Sequence, residues 1–142
     1  MYYFVLSLIG ATCWGIAPVF GKIGLKGVQP LDGLAARTIV TVILVGTWIF
    51  LSGGLTRISA IPGRNWAYLS VEAFLATFAG DIAYYAAIKG GDIGLVGLVL
   101  AAAPVITLGI GNAFLREPLS LEKILGAVLI CGGVILIGFS QV

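Results

Sequence analysis

The chain has 142 residues, of which 60% are hydrophobic and 10% charged, with a net charge of +2 and a mean hydropathy of +1.13. Eight basic and six acidic side chains cannot cover the surface of a soluble domain this size, so the composition is that of a membrane protein. The small, scattered positive charge argues against nucleic-acid binding. The complete lack of histidine, with Cys13 and Cys131 isolated in apolar runs, excludes metal sites and histidine-based catalysis and implies no cofactor.

A bilayer core about 30 Å thick needs roughly 20 helical residues, and the charges divide the chain into five such lengths. The first runs from Tyr2 to about Gly21 and is closed by Lys22 and Lys26. It lacks a basic leader and is too long for a secretory signal, so it reads as a retained span. A Gly-Val-Gln-Pro-Leu-Asp turn leads to the second, about Leu34 to Leu51, with Arg37 near its start. The longest polar connection follows, with Arg57, Pro62, Gly63 and Arg64. Span three covers about Trp66 to Ile88 and carries the acids Glu72 and Asp81. Lys89-Gly90-Gly91-Asp92 then stops one helix on glycine and offers Asp92 as the cap of the next. Span four, Ile93 to Leu115, has no charge and holds Pro104 at its midpoint. After Arg116-Glu117-Pro118-Leu119-Ser120, span five runs from about Leu121 to Phe139. Lipid demands an internally satisfied backbone, and nothing alternates as a barrel strand would, so the spans are helices. The expected fold is an all-α membrane protein of five transmembrane helices. Residues 1–142 form one domain, and its termini fall on opposite sides of the membrane because five is odd.

Orientation follows the imbalance of Lys and Arg between short loops. Here Arg57, Arg64, Arg116 and Lys123 face Lys22, Lys26, Arg37 and Lys89, four against four. Either a boundary is off by one residue or other insertion factors decide, or the chain inserts both ways and pairs head-to-tail.

The 21 glycines, with Ala79, Ala83 and Ala87 at every fourth position, suit close helix packing within a bundle. Span five, with Gly126, Gly132, Gly133 and Gly138, could also carry a helix–helix dimer contact. Asp81 is the more informative residue, because a carboxylate inside a span is costly and marks a functional candidate. Helical spacing groups it with Phe74, Thr77, Phe78, Tyr84, Tyr85 and Ile88, a polar group among aromatic walls as in a ligand pocket. Two structural alternatives compete: a neutral Asp81 hydrogen-bonded to a neighbouring helix, or a pair with an internal arginine such as Arg37. Glu72 lies nearer an interface and reads as solvated. Span one presents Tyr3, Ser7, Gly10, Trp14 and Pro18 on one stripe. Pro104 removes a backbone donor and frees a carbonyl in span four, which marks either a midplane binding site or a simple kink.

Cys13 to Val40, with Trp14-Gly15, Lys22, Pro30 and Arg37, resembles the opening of an EamA-type domain of the drug/metabolite transporter superfamily. Ala86-Ala87, Pro104, Glu117, Leu119-Ser120 and the glycines from Gly126 to Gly138 resemble its second half. The likeness covers nearly the whole chain in its single-domain, five-helix form. It implies a secondary transporter of small organic metabolites or drugs, usually an exporter, in the cytoplasmic (inner) membrane of a prokaryote. Most such proteins hold two oppositely inserted domains in one chain, so a single domain is expected to form an antiparallel homodimer. The small multidrug resistance proteins, of similar logic, use a glutamate in span one; no acid stands there in this chain, which leaves Asp81 as the proton-coupling candidate. The expected substrate-binding residues are Ser7, Trp14, Thr77, Asp81, Tyr84, Tyr85 and Pro104, in a carrier working by alternating access. The alternatives are a non-transporting membrane subunit and a half-transporter that needs an oppositely oriented related chain. No nucleophile–base pair or phosphate-binding loop suggests an enzyme.

Overall fold

The computed structural model describes residues 1–139. Among them there is no strand, and five helical stretches are long and apolar enough to cross a bilayer: Tyr2–Gly24, Pro30–Leu51, Gly63–Gly90, Ile93–Leu115 and Leu121–Phe139. These are the five expected spans. The protein is a multi-pass helical membrane protein.

Local chemistry sets the ends. Helix α1 (Tyr2–Gly24) continues past Lys22, and Leu25 N–H still donates to the Gly21 carbonyl at 3.0 Å. Helix α2 (Pro30–Leu51) opens with proline in its first turn, where the missing N–H would have no partner anyway. The preceding Gln29 is extended, as a residue before proline prefers, and Asp32 in the first turn complements the helix dipole. The second helix thus begins four residues earlier than Leu34, and Arg37 stands two turns inside it rather than at its start. The polar connection contains a short helix, α3 (Leu55–Ser59), that composition does not suggest.

Span three is not uniform. It consists of α4 (Gly63–Ala73), a π-helical segment (Phe74–Gly80) and α5 (Asp81–Gly90). Span four breaks where expected. Helices α6 (Ile93–Leu100) and α7 (Ala103–Leu115) meet just before Pro104, and the Ala102 N–H turns to the Val99 carbonyl at 3.1 Å. Span five is the unbroken α8 (Leu121–Phe139).

The chain divides into two compact units, Met1–Gly90 and the part from Gly91 onward. In the first, α5 packs on both α1 and α2. Its buried apolar side chains are Leu25, Leu34, Tyr85 and Ile88, at 2%, 5%, 8% and 0% exposure, so all four lie at one end of the unit. Glycine makes the close approach possible there. A methyl group added at Gly33 would come within 2.5 Å of the Leu25 side chain, and one at Gly21 within 3.2 Å of Ile88. Away from this clamp the large apolar side chains of α1, α2 and α4 are exposed, including Trp14, Trp48 and Trp66. Lipid is as apolar as they are, so their exposure carries no hydrophobic cost.

In the second unit α8 packs against α6 and α7. An apolar groove on α7 and α8 is lined by Leu108, Gly109, Ala127 and Cys131. The turn after α7 is held by its own side chains. Arg116 is left-handed at φ 55°, Glu117 N–H donates to the Gly111 carbonyl at 3.3 Å, and the Asn112 amide donates to the Glu117 carbonyl at 2.9 Å.

Candidate functional site

Asp81 is the first residue of α5, and its Oδ2 accepts a hydrogen bond from Arg37 Nη2 at 2.8 Å. Of the two structural alternatives for this carboxylate, pairing with Arg37 is the one present. The arginine lies seven residues from the start of α2 and the aspartate nine from the end of α5. At 1.5 Å per residue both are roughly 10–14 Å inside their helices. An unpaired charge at such a depth costs about 2.5–3.5 kcal/mol or more, and pairing at hydrogen-bond distance removes the net charge from the site.

The pair stands on the clamp. Leu34 is one turn before Arg37 on α2, and Tyr85 is one turn after Asp81 on α5, so both buried residues lie directly beneath the charges. The Tyr85 ring centroid is 5.8 Å from the guanidinium carbon of Arg37, within cation–π range. Tyr84 lies beside Tyr85 with ring centroids 5.8 Å apart and is half-buried. The arginine side chain remains 45% exposed against 18% for the aspartate, so the cation is the accessible half of the pair.

Three of the expected site residues, Asp81, Tyr84 and Tyr85, are therefore brought together, and Arg37 joins them. Thr77, four residues before Asp81, is exposed and lies in the π segment. The stripe that grouped Phe74, Thr77 and Phe78 with Asp81 assumes α-helical spacing throughout, and the π segment changes that period. The Asp81 N–H reaches back to the Ala76 carbonyl as well as to that of Phe78, and the wider turn carries Phe74 and Phe78 off the face of Asp81 while Thr77 stays near it. Phe74 and Phe78 instead stack on each other at 5.8 Å. Ser7 and Trp14 are exposed on α1, and the Ser7 hydroxyl donates to the Tyr3 carbonyl at 2.9 Å within its own helix. Pro104 belongs to the second unit, in the first turn of α7. Glu72 is exposed on α4. Among the described residues no three His, Cys, Asp or Glu side chains are grouped as metal ligands would be. The π segment is the feature that sequence patterning misses; Gly80, followed directly by the carboxylate, is its one visible trace.

Comparison with known proteins adds the family. The profile of the EamA-like transporter family matches residues 1–139. The chain is 30% identical over 131 residues to an uncharacterized transporter in the cobO 3′ region of Sinorhizobium sp., covering 92% of each. It is 29% identical over 137 residues to the uncharacterized protein MJ1333.1 of Methanocaldococcus jannaschii, covering 96% of each. Against the uncharacterized transporter YoaV of Bacillus subtilis the identity is 25%, and the match covers 94% of this chain but 45% of the relative. No solved structure matches. A profile spanning all five helices, with relatives named as transporters, identifies the chain as a member of the EamA-like transporter family.

Proposed function

We propose that this protein is a secondary transporter, an exporter of small organic solutes, in which two oppositely inserted copies work by alternating access. One observation carries the pairing. The chain matches nearly the full length of two relatives but under half of YoaV, so the longer relative has room for a second unit of this size. A chain with one unit reaches the same complement by pairing. With Arg37 inside α2, the remaining Lys and Arg stand four against three, too small a bias to fix one orientation, which supports insertion in both directions.

In this reading the Arg37–Asp81 pair is the coupling element. With the ion pair closed, the site carries no net charge. A proton taken by Asp81 cancels its negative charge and releases the exposed Arg37, leaving one positive charge in a low-dielectric region. A change of net charge inside a span biases a two-state carrier, because the two states solvate the site differently. Tyr84 and Tyr85 supply an aromatic surface beside the pair, worth about 0.5–2 kcal/mol to a cationic solute, and Ser7 and Trp14 offer a hydroxyl and an indole on α1.

Reporter fusions at the C-terminus, one active only inside the cell and one only outside, test the arrangement. Strong signal from both is expected. Signal from one side alone would overturn the inverted homodimer and favour a half-transporter with an oppositely oriented partner chain.

A further inference from the structure

The π segment divides span three into an anchored half and an unanchored half. On its C-terminal side, α5 is fixed by buried Tyr85 and Ile88 and by the Asp81–Arg37 pair. On its N-terminal side, every residue of α4 is exposed, and the main contacts of α4 are with the π segment itself. Between them, seven residues run with five-residue hydrogen-bond spacing and deliver the Asp81 N–H to Ala76. Such spacing places one extra residue in the turn, so what precedes it is rotated by about 100° relative to a continuous α-helix.

Gly80 is what permits this winding. A Cβ at Gly80 would lie 2.9 Å from the Leu75 carbonyl oxygen, five residues earlier in the chain, and that oxygen belongs to the backbone and cannot step aside. An alanine would therefore favour reversion to α-helical spacing. The single glycine sits directly before the carboxylate that must meet Arg37.

We propose that Phe74–Gly80 is a register switch. In its π form, the segment sets α4 at one angle about its axis while Asp81 stays on Arg37. Conversion to α-helix turns α4, with Trp66, Tyr68 and Glu72, by about one residue position around the fixed α5. Gly80 is the positioning residue that allows both windings. Only the assignment of this turn to a transport step rests on the carrier reading; the switch itself has a separate, structural readout.

The test is spin-label accessibility in proteoliposomes, with single cysteines placed in turn at positions 66–73 and 82–89 of a Cys13→Ser, Cys131→Ser chain and oxygen and a nickel chelate as the paired probes. In Gly80→Ala the accessibility maximum on α4 should move by one position, about 100°, while that on α5 stays in place. Deleting Ala79 gives the complementary result. In an uninterrupted α-helix the deletion would turn α4 by about 100°, whereas removal of the extra π residue leaves both patterns where they were. A pattern on α4 that shifts on deletion, or that stays unmoved in Gly80→Ala, overturns the switch. If Gly80→Ala cannot be recovered from membranes, the deletion alone decides. Should the switch stand while solute movement is equal in all forms, the transport assignment falls and the switch does not.

Discussion

Arg37 and Asp81 face each other across α2 and α5 with 2.8 Å between Nη2 and Oδ2, each one turn from a buried residue of its own helix, Leu34 and Tyr85. The two charges come from helices 44 positions apart in the chain, yet they close on the most tightly packed part of their unit. Replacing one partner leaves the other charged and only partly solvated, which costs more than the pair itself contributes. Asp81→Asn and Arg37→Gln should therefore each destabilise the detergent-solubilised protein by about 1.5–3 kcal/mol. The double substitution should cost clearly less than the sum. Denaturant unfolding of all four forms gives the coupling energy, and additive losses would show that the pair does not act as a unit.

The five spans were legible because lipid imposes a length and charge punctuates it. The same holds for the break at Pro104, which follows from a missing donor, and for the start of α6 at Ile93 after Asp92. One feature is not legible: the face around Asp81 rests on a constant period, and the π segment shifts that period by one residue within the span. Arg37 is among the partners that the sequence offers for Asp81, but whether the two meet depends on how α2 and α5 cross, a tertiary outcome that no local pattern encodes. A functional residue next to a non-repeating turn is where period-based reading is weakest.

Gly33 and Gly21 both sit under the clamp, but their substitutions should differ. At Gly33 a methyl group meets the Leu25 side chain at 2.5 Å, with the Tyr85 ring at 3.5 Å, and Leu25 is 2% exposed. Overpacking at such a site costs about 1–3 kcal/mol, which exceeds the roughly 1 kcal/mol that alanine gains over glycine in a helix. Gly33→Ala should lower the midpoint of thermal unfolding. At Gly21 the nearest atom is a terminal methyl of Ile88 at 3.2 Å, so although Ile88 is fully buried it need give by only a few tenths of an ångström. Gly21→Ala should be close to neutral, and the two melting curves, measured side by side, separate the cases.

Asp92 caps α6, with Oδ1 accepting from Leu95 N–H at 2.8 Å. Three apolar residues and a glycine follow it, so the first turn has no other side chain able to satisfy those amides. Asp92→Ala should cost about 1 kcal/mol and Asp92→Asn or Asp92→Ser much less. Hydrogen exchange at Leu95 should accelerate in the alanine form alone if the cap acts as the geometry indicates.

Arg116 ends α7 with φ 55°, the one positive φ outside glycine among the described residues. A side chain in that conformation costs roughly 1–2 kcal/mol relative to glycine, because its Cβ crowds the following carbonyl. The turn persists because its neighbours hold it: Asn112 donates to the Glu117 carbonyl at 2.9 Å, and Lys123 Nζ donates to the Pro118 carbonyl at 3.0 Å. Arg116→Gly should therefore stabilise the protein by about 1 kcal/mol. It should leave both bonds in place, since neither uses the arginine side chain. Arg116→Val, with a branched Cβ in the same conformation, should destabilise it. Asn112→Ala removes one of the two restraints, and the gain from Arg116→Gly should then grow or stay equal, because a looser turn still has to place that residue in the left-handed region. A gain that vanishes in the Asn112→Ala background would mean that the turn opens without its amide bond, making that bond, rather than the path of the chain, the cause of the strain at Arg116.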